Sequence, residues 1–557
     1  MNKDADNTSF PLSYLYKNEQ SCGDKIYLRQ PVNGQWHEYT WKQTMDIARR
    51  LANFLLKQGL KPGDRVAILS KNCAEWFMTD FAIMLAGMVS VPLYATQHAD
   101  DIRFILQHAD CRLIFVGKLD HPELQKAGIP EEMKRVAFPY KNTLRADFHW
   151  DAIVDEYLPM KESPLPKLTD LMTIIYTSGT TGNPKGVMIT YQTLAVYHRA
   201  AIIDFKDLNL PDFLHFVSYL PLAHVVERVA IELLSVDWES TVSFVESIET
   251  FPENMREIRP DLFFAVPRIW KVFQTGILEK LPQKKLDLLL KIPLVSTLIK
   301  KKIKSALGLQ RSVYNLSGAA PISPEILSWF GRLGITIYEG YGQTENLAYA
   351  TLCKPKHQKI GTVGRCRYEV EGKIGDNGEI LLKSPGTMEG YYRDPELTAS
   401  LFTDDGFMHT GDLGSIDEEG YLSIIGRVKD PFKTAKGEYI VPVPIEHEFA
   451  LNPMIGQCCL VGSGLNRSLL IISLSAHALK ESREAVEKSL GESLNTINGS
   501  LLHFEQVGHL YIVKSEWTPE NHLLTPTLKI KRQAIENKYK SQFEKIDGGE
   551  QVIVWEE

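Results

Sequence analysis

The sequence predicts an α/β protein with a large N-terminal domain made of several subdomains and a small C-terminal α+β domain. At 557 residues the chain is longer than one ordinary domain, so two or more hydrophobic cores are expected. Between residues 65 and 116, helix-patterned and strand-patterned apolar stretches alternate, as they do in α/β domains. After Gly426 the sequence turns polar and irregular.

Composition narrows the class of protein. Apolar residues make up 44% of the chain and charged residues 24%, which is typical of a soluble globular protein. A net charge of −7 argues against a dedicated nucleic-acid binder. The seven cysteines are scattered without Cys-x-x-Cys spacing, which favours a reducing compartment. Residues 1–10 contain no apolar signal segment, so we expect a cytoplasmic protein.

The first elements follow from apolar periodicity and capping residues. Thr40 is predicted to cap an amphipathic helix that ends before Gly59, and residues 65–69 form a strand. Residues 81–95 are uncharged, but they are fewer than the roughly 20 needed to cross a bilayer. A buried helix followed by a buried strand is the expectation there, and residues 104–116 repeat it.

The most informative stretch is YTSGTTGNPKGV at residues 176–187, which lies between an apolar strand and a second strand. Glycines let successive N–H groups face one point, while hydroxyls and a lysine add donors and charge, so the loop is suited to a polyphosphate. It is not the Walker loop, because Pro184 precedes the lysine and Gly186 follows it. A Gly/Thr-rich hairpin turn is the alternative. The candidate anion-binding residues are Thr177, Ser178, Gly179, Thr180, Thr181, Gly182 and Lys185.

This stretch resembles the signature of the adenylate-forming enzymes, the superfamily of acyl-CoA synthetases, firefly luciferase and peptide-synthetase adenylation domains. The resemblance runs from about residue 35 to residue 535, and the family's later motifs follow this stretch in order. The resemblance implies ATP and Mg²⁺ as cofactors, with Lys185 at the phosphates and Thr177 beside the metal. It also implies that the small C-terminal domain is mobile.

Residues 219–228 resemble the second motif of that family, which places His224 at the acyl site. Most relatives carry an aromatic residue at the position of Ala223, and the Ala-His pair followed by Glu227 and Arg228 resembles the long-chain fatty acid branch. A lone histidine on an apolar segment is more often a core residue, so that alternative stays open.

Two turns are implied to bind the adenine nucleotide. Gly318, Ala319 and Ala320 follow a strand, and in the family this turn lines the adenine and acyl pockets. The second turn runs from Tyr341 to Glu345. By resemblance, Tyr341 stacks on adenine beside Gly342, Thr344 bonds the α-phosphate, and Glu345 holds Mg²⁺.

The C-terminal motifs complete the set. By resemblance Asp412 accepts the ribose hydroxyls, Arg427 contacts the nucleotide, Lys429 is the hinge, and Gly437 lies where the pantetheine arm of CoA passes. These imply a large domain of residues 1–427 and a small domain of residues 428–557. In the small domain, helices are predicted at residues 476–490 and 494–505 and a strand at 510–513.

The last motif of the family places its lysine at Lys529, which is implied to be catalytic. Most relatives have glycine before that lysine, whereas here it is Leu528. The Thr-Pro-Thr run that precedes it, at residues 525–527, is again what the long-chain branch shows.

Residues 281–304 hold seven lysines and one acid, Asp287, interleaved with aliphatic residues. Such a basic amphipathic element can lie on an anionic membrane surface, here the inner surface of the membrane. The alternative is a solvated helix pair, broken at Pro293, that covers its own core.

Together these observations predict an AMP-forming long-chain fatty acid–CoA ligase, with ATP, Mg²⁺ and CoA as cofactors and a long-chain fatty acid as substrate. A fatty acyl-AMP ligase that loads a carrier protein and a non-catalytic lipid or nucleotide sensor are the alternatives. The preferred chain length and the oligomeric state, a homodimer included, stay open.

Overall fold

A computed structural model describes residues 10–141, 144–177, 183–206, 208, 210–525 and 527–557. The helices, in chain order, are α1 (Leu12–Ser21), α2 (Trp41–Lys57), α3 (Ala74–Leu85), α4 (Ala99–His108), α5 (Pro122–Lys126), α6 (Trp150–Glu156), α7 (Tyr191–Phe205), α8 (Val225–Glu227), α9 (Leu234–Asp237), α10 (Phe251–Ile258), α11 (Pro267–Lys280), α12 (Gln283–Leu290), α13 (Pro293–Ala306), α14 (Pro324–Arg332), α15 (Pro395–Ser400), α16 (Pro442–Ala450), α17 (Arg483–Ser500) and α18 (Arg532–Asp547). The strands are β1 (Ile26–Val32), β2 (Gln35–Thr40), β3 (Arg65–Leu69), β4 (Val89–Leu93), β5 (Cys111–Val116), β6 (Lys134–Ala137), β7 (Phe148–His149), β8 (Leu171–Thr177), β9 (Lys185–Thr190), β10 (Leu214–Ser218), β11 (Ser240–Phe244), β12 (Leu262–Ala265), β13 (Tyr314–Ser317), β14 (Ile337–Tyr341), β15 (Thr351–Leu352), β16 (Arg365–Cys366), β17 (Glu371–Ile374), β18 (Glu379–Lys383), β19 (Gly390–Tyr391), β20 (Met408–Ile416), β21 (Leu422–Arg427), β22 (Phe432–Lys433), β23 (Tyr439–Ile440), β24 (Ile455–Val461), β25 (Ser468–Leu474), β26 (Val507–Val513) and β27 (Ile553–Trp555).

The chain divides into two compact units. The N-terminal unit comprises residues up to 372 together with 382–408 and 420–422. The C-terminal unit comprises residues 373–381, 409–419 and 423–557. The domain boundary predicted at residue 428 stays a prediction.

The N-terminal unit is built on an eight-stranded sheet of order β19-β9-β8-β4-β3-β5-β6-β7. The pairs from β8 to β7 are parallel, whereas β9 and β19 are joined to that edge by antiparallel pairing. Strands β3 and β4 are almost entirely buried, as the sequence predicts for a sheet covered on both faces. Thr40 caps α2 with a full capping box to Gln43, and α3 is buried along its whole length, so both expectations are confirmed.

Two further sheets complete this unit, with orders β10-β11-β1-β2 and β12-β13-β14-β15-β16. Within the second, β12, β13 and β14 run parallel, so their carboxyl ends reach the same edge. Residues 281–304 contain two helices separated near Pro293, because α12 ends at Leu290 and α13 begins at Pro293, and this arrangement is compatible with both interpretations of the segment.

The C-terminal unit has a core between the sheet β24-β25-β26-β27 and helices α16, α17 and α18. The sheet β17-β18-β20-β21 contributes most of its residues to this unit as well. The expectation of two helices at residues 476–490 and 494–505 is wrong: one helix, α17, covers Arg483–Ser500. Ser482 caps its start, and Val486, Leu490, Leu494 and Ile497 continue one apolar stripe through the predicted break.

All seven cysteines are free. Across the residues that the structure describes, no helix has the length and apolarity that spanning a bilayer requires.

Candidate active site

The strands β8 and β9 frame the predicted phosphate loop. They pair antiparallel, with Thr177 opposite Lys185 at the end of the ladder. The loop positions Ser178, Gly179, Thr180, Thr181 and Gly182 lie outside the described residues. Thr177 and Lys185, the residues on either side of the loop, are both half-buried. Register therefore fixes the two ends of the loop side by side.

A tyrosine that the sequence analysis did not select links this hairpin to the predicted metal residue. Tyr391 lies on β19, which pairs with β9, and its ring lies 5.4 Å from Lys185 Nζ. Its hydroxyl donates a hydrogen bond to Glu345 Oε1 at 2.9 Å. Burial, with the Glu345 carboxylate as a smaller contribution, raises the pKa of Tyr391, so the hydroxyl stays a donor. The structure thus brings Lys185 and Glu345 together around one aromatic ring.

Glu345 lies on a tight turn with constrained backbone. Residues Thr344–Asn346 form one turn of 3₁₀ helix, and Gln343 and Asn346 cap each other reciprocally. Leu347 and Ala348 then take left-handed conformations, with φ of 55° and 54°. Non-glycine residues seldom adopt that region, and such strain clusters at functional sites.

Gly342 is required at this turn by close approach. A Cβ at that position would lie 2.4 Å from the carbonyl carbon of Ala348. Any other residue would push the two backbone segments apart and displace Tyr341, which is half-buried beside it.

The turn after β13 lies at the same edge. Ser317 is in register with Glu339 on β14, so the Gly318–Ala320 turn and Tyr341 both follow carboxyl ends of adjacent parallel strands. A Cβ on Gly318 would lie 3.0 Å from the carbonyl oxygen of Gly340. In open α/β sheets ligands bind at such an edge.

Glu339, one of the strand residues at this edge, is buried, and burial raises the pKa of its carboxyl to about 8. Nothing in the spacing of the motif marks this residue, because its burial depends on the neighbouring strands.

The predicted acyl-site histidine caps a short helix. His224 Nδ1 accepts a hydrogen bond from the N–H of Val226 at 3.2 Å, at the start of α8. The next two motif residues are buried and structural. Glu227 accepts from Ser218 Oγ at 2.8 Å, and burial raises its pKa to about 8.

Arg228 is likewise buried. It pairs with Asp80 and Glu232 and donates to Thr173 Oγ1 at 2.7 Å. Its position at the start of a six-residue π-helix, Arg228–Leu233, fits the frequent occurrence of π-bulges near functional sites.

In the C-terminal unit, Asp412 and Arg427 meet. Asp412 is buried on β20, and its Oδ1 lies 2.9 Å from Arg427 Nε at the end of β21. Gly411, with φ of 68°, accepts a hydrogen bond from Val428 and donates one to Glu379 Oε1. The two predicted nucleotide residues therefore lie on paired, well-anchored backbone.

Lys429 and Gly437 lie on turns of this unit. Lys429 is exposed two residues after the end of β21. Gly437 lies between β22 and β23 with φ of 86° and donates to the carbonyl of Thr434. Only a residue that tolerates the left-handed region fits there.

Lys529 closes a turn with Thr525. Its N–H donates to Thr525 Oγ1 at 3.0 Å, and its carbonyl accepts from the Thr525 N–H at 2.8 Å. Leu528 has a φ of 61°, so it occupies the left-handed conformation that glycine would adopt more easily.

A residue missed by the sequence analysis anchors this segment. Arg532 forms a two-pronged ion pair with Glu446 on α16, at 2.6 and 2.9 Å, and its Nε lies 4.0 Å from Asp430. Asp430 is the immediate neighbour of the predicted hinge Lys429. An arginine that follows the predicted catalytic lysine carries no local signal of this role, because its partners are far away in sequence.

The described residues contain no group of three or more His, Cys, Asp and Glu side chains that could hold a metal ion. Glu345 and Thr177 offer hard oxygen atoms, and one carboxylate together with substrate phosphates is a usual arrangement for Mg²⁺. These residues therefore fit the predicted cofactor.

Comparison with known proteins agrees with this geometry. The AMP-binding enzyme family matches residues 16–392, and the AMP-binding enzyme C-terminal domain matches residues 430–548. The fold is that of an α/β enzyme, and the matching family is one of AMP-binding enzymes. The chain belongs to the AMP-binding enzyme family, which confirms the resemblance to adenylate-forming enzymes.

Curated relatives align over nearly the whole chain. The long-chain-fatty-acid–CoA ligase FadD15 of Mycobacterium bovis is 29% identical, over 96% of this chain and 96% of its own. Long-chain-fatty-acid–CoA ligase 5 of Rattus norvegicus is 29% identical, over 94% of this chain and 86% of its own.

Solved structures share the fold. The adenylation domain of a carboxylate reductase from Mycobacterium chelonae superposes with a TM-score of 0.80 at 22% identity, covering 96% of this chain and 90% of that one. ATP-bound MatB from Rhodopseudomonas palustris gives 0.73 at 22% identity, covering 96% and 99%. The predicted fold class, α/β with a large N-terminal and a smaller C-terminal domain, is thereby confirmed.

Proposed function

We propose that this enzyme is an AMP-forming acyl-CoA ligase that converts a long-chain fatty acid to acyl-AMP and then to acyl-CoA. It uses ATP, Mg²⁺ and CoA. The observation that carries the proposal is the meeting of Lys185 and Glu345 at Tyr391, beside the strand ends that flank residues 178–182. A cation and a carboxylate at the mouth of a Gly/Thr-rich loop suit magnesium-bound polyphosphate.

The proposed reaction has two steps. A free carboxylate is a poor acyl donor, because its leaving group would be oxide. The carboxylate oxygen attacks the α-phosphorus of ATP, and pyrophosphate leaves with the electrons of the broken P–O bond. The thiol sulfur of CoA then attacks the acyl carbonyl, loses its proton, and AMP leaves. Neither step requires a side-chain nucleophile.

Three donors are proposed to stabilise the charge that gathers on the phosphates during the first step. Lys185 lies beside the loop, Thr344 is buried on the turn with Glu345, and Lys529 lies on the turn of the C-terminal unit. Preorganised donors of this kind are often the largest single contribution to catalysis.

The nucleotide is proposed to lie along the edge where β13 and β14 end. Tyr341 would stack on adenine, with Gly342 and the turn of Gly318, Ala319 and Ala320 forming the wall of that pocket. Asp412 would accept both ribose hydroxyls, and Arg427, which is already paired with it, would contact the same nucleotide.

Mg²⁺ would be held by Glu345 and Thr177 and would supply charge neutralisation at the phosphates. The hydrogen bond from Tyr391 orients the Glu345 carboxylate toward that role.

The acyl chain and CoA are assigned to further residues. His224, at the start of α8, is proposed to border the acyl site. Gly437 would let the pantetheine arm pass close to the backbone, and Lys429 would be the hinge between a large domain of residues 1–427 and a small one of 428–557. The long-chain class is supported by the relatives, whose names specify long-chain fatty acids.

The proposed compartment is the cytoplasm, which suits seven free cysteines. A homodimer and a position at the inner membrane surface stay predictions.

The test measures pyrophosphate release by the purified enzyme with ATP, Mg²⁺ and fatty acids from octanoate to stearate, with and without CoA. We expect AMP as the nucleotide product, acyl-CoA formation, and a preference for the longer acids. ADP and orthophosphate as products would overturn the proposal. Pyrophosphate release that CoA does not accelerate would indicate a carrier-protein acceptor, and no turnover with any acid would indicate a sensor.

A further inference from the structure

Helices α12 and α13 present large aliphatic side chains to solvent. Leu294 and Leu298 are 82% and 67% exposed, and Leu288 and Ile292 are 62% and 46% exposed. Leu294 and Leu298 are four residues apart on α13, so they lie on the same face. Grouped exposed aliphatic residues mark an interaction surface, whereas single ones need no explanation.

Positive charge surrounds these side chains. Lys284, Lys285, Lys291, Lys301 and Lys302 are exposed on the same two helices and the link between them.

The single acid of this segment, Asp287, is already paired with Arg332 and accepts a hydrogen bond from Gln283 at 2.8 Å. The contact with Arg332 holds the pKa of Asp287 below its usual range. The helix pair is therefore strongly basic on a chain whose net charge is −7.

A pocket of about 320 Å³ opens beside α13. Thr297, Lys300, Lys301 and Lys304 line it at spacings of three, four and seven residues, which places them along one face of the helix. Gln310 adds an amide, and no carboxylate belongs to its lining.

The floor of the pocket leaves room for these lysines. At Gly334, with φ of 74°, an added Cβ would lie 3.7 Å from Lys304 Nζ. Three ammonium groups, a hydroxyl and an amide around one opening suit a phosphate group.

We propose that α12 and α13 dock the enzyme on an anionic bilayer. Leu294 and Leu298 insert among the acyl chains, and Lys300, Lys301 and Lys304 bind lipid phosphate. Aliphatic side chains beside lysines are the composition of elements that lie in a membrane interface. The inference goes beyond the proposed reaction and does not depend on it, because its residues belong to a separate surface.

Charge decides between a bilayer and a second copy of the chain. A two-fold interface places one patch against its own copy, which would bring the lysines of two α13 helices together. An anionic bilayer instead complements them and repels the acidic remainder of the chain. The patch would therefore also orient the enzyme on the membrane.

The first experiment is sedimentation with vesicles of mixed phosphatidylglycerol and phosphatidylcholine, and with pure phosphatidylcholine. The wild type should sediment with the anionic vesicles at low salt and be released as salt is raised. The triple variant Lys300→Glu, Lys301→Glu, Lys304→Glu should bind on the order of 100-fold more weakly, since each lysine contributes roughly a factor of five. Changing Lys480, Lys488 and Lys540 to Glu alters net charge equally on exposed positions elsewhere and should leave most of the binding.

A second variant pair tests insertion. Leu294→Ser with Leu298→Ser should weaken vesicle binding by about tenfold or more. Leu479→Ser with Leu502→Ser, at positions 71% and 61% exposed, should not. Acyl-CoA formation from octanoate without vesicles should be unchanged in all these variants, which shows that they fold and separates this inference from the proposed reaction.

Four outcomes would overturn the inference. The wild type could fail to sediment at low salt, or the control lysine variant could lose binding as strongly as the pocket variant. The leucine variant could convert a dimer to a monomer in size-exclusion chromatography, which would make this face an interface between copies. Binding of glycerol 3-phosphate with no binding to anionic vesicles would likewise replace the bilayer with a soluble phosphate compound.

Discussion

The two lysines proposed to act on phosphate are held in different ways. Lys185 begins β9, where it pairs across the ladder with Thr177, and the carbonyl of the adjacent Gly186 accepts from the N–H of Tyr392. Lys529 lies on a turn, where it exchanges two hydrogen bonds with Thr525. One lysine is thus part of a sheet, whereas the other is carried by a turn.

The difference indicates that Lys185 and Lys529 act at different stages of the reaction. Sheet pairing keeps Lys185 and Glu345 in a constant relation, which suits binding of a substrate throughout the reaction. The Lys529 turn lies in the C-terminal unit, where Arg532 pairs with Glu446. The family resemblance predicts that this unit is mobile, and a lysine on a mobile unit can serve one step and withdraw for the next.

The largest expected effect tests whether Lys529 acts only in the first half-reaction. Lys529→Ala should slow acyl-AMP formation by roughly 10²–10³-fold, as expected for loss of one charge-stabilising donor. Conversion of supplied acyl-AMP and CoA to acyl-CoA should stay largely intact. Lys429→Pro should slow the conversion of acyl-AMP to acyl-CoA and leave acyl-AMP formation largely intact. Proline fixes φ at the proposed hinge without touching the adenylation groups. Rapid-quench measurement of both half-reactions decides it, and equal losses in the two steps for either variant would defeat the two-orientation mechanism.

The next effect concerns the pH dependence of stability that the buried Glu339 produces in the N-terminal unit. Burial raises the pKa of Glu339 to about 8, so the folded state keeps a proton that the unfolded chain loses above its ordinary value of 4.5. Stability should therefore fall as pH rises from near 4.5 to near 8 and level off above that. A shift of this size corresponds to a few kcal/mol in the free energy of unfolding.

Glu339→Gln removes this titration. The melting temperature of the variant relative to wild type should rise steadily over that pH range. The same exchange at the exposed Glu325 is the control. A constant difference between Glu339→Gln and wild type at every pH would contradict the assignment.

Asp412→Ala should weaken ATP binding on the order of tenfold or more, because two ribose hydroxyls lose a charged acceptor worth about 1.5–3 kcal/mol per hydrogen bond. The matched ligand is 2′,3′-dideoxy-ATP. Wild type should prefer ATP to this analogue, and the variant should bind the two almost equally. A variant that keeps the full preference for ATP would remove Asp412 from the ribose site, even if its overall affinity fell through loss of the Arg427 pair.

Tyr391→Phe tests the hydrogen bond that links the sheet to Glu345. The ring beside Lys185 stays and only the hydrogen bond to Glu345 is lost. Mutation of a residue that orients a metal ligand usually lowers metal affinity or activity, by about tenfold at the low end. We expect a rise of that size in the Mg²⁺ concentration needed for adenylation, with little change in the second half-reaction. Tyr392→Phe is the control, and an equal rise there would show a general packing effect.

The smallest effect concerns the Lys529 turn. Leu528 occupies the left-handed region at φ of 61°, which costs a non-glycine residue about 1–2 kcal/mol. Leu528→Gly relieves that cost but adds freedom to the unfolded chain, about 0.4–1 kcal/mol. A net gain of about 0.5 kcal/mol in the free energy of unfolding should appear in urea titration. Leu502→Gly, at an exposed position without positive φ, should lower stability instead; a loss in both variants would mean that Leu528 is not strained.

Local sequence was sufficient for many elements. The capping box of Thr40 and Gln43, the buried strand Arg65–Leu69 and the hairpin around the phosphate loop follow from signals only a few residues long. The break expected before Leu494 was wrong, because an apolar stripe at helical spacing continued through it. Periodicity over the whole segment outweighed the local pattern.

The sequence by itself determined the class of the protein, because the stretch at residues 176–187 and the motifs that follow it resemble those of the adenylate-forming enzymes, and each motif is only a few residues long. Only the tertiary structure identified Tyr391 beside Lys185 and Glu345, and Arg532 beside Glu446. The hydrogen-bonded pairs Tyr391–Glu345 and Arg532–Glu446 are 46 and 86 residues apart in the chain. Strand pairing and burial, not any local pattern, bring such residues within bonding distance, so no short motif can reveal them.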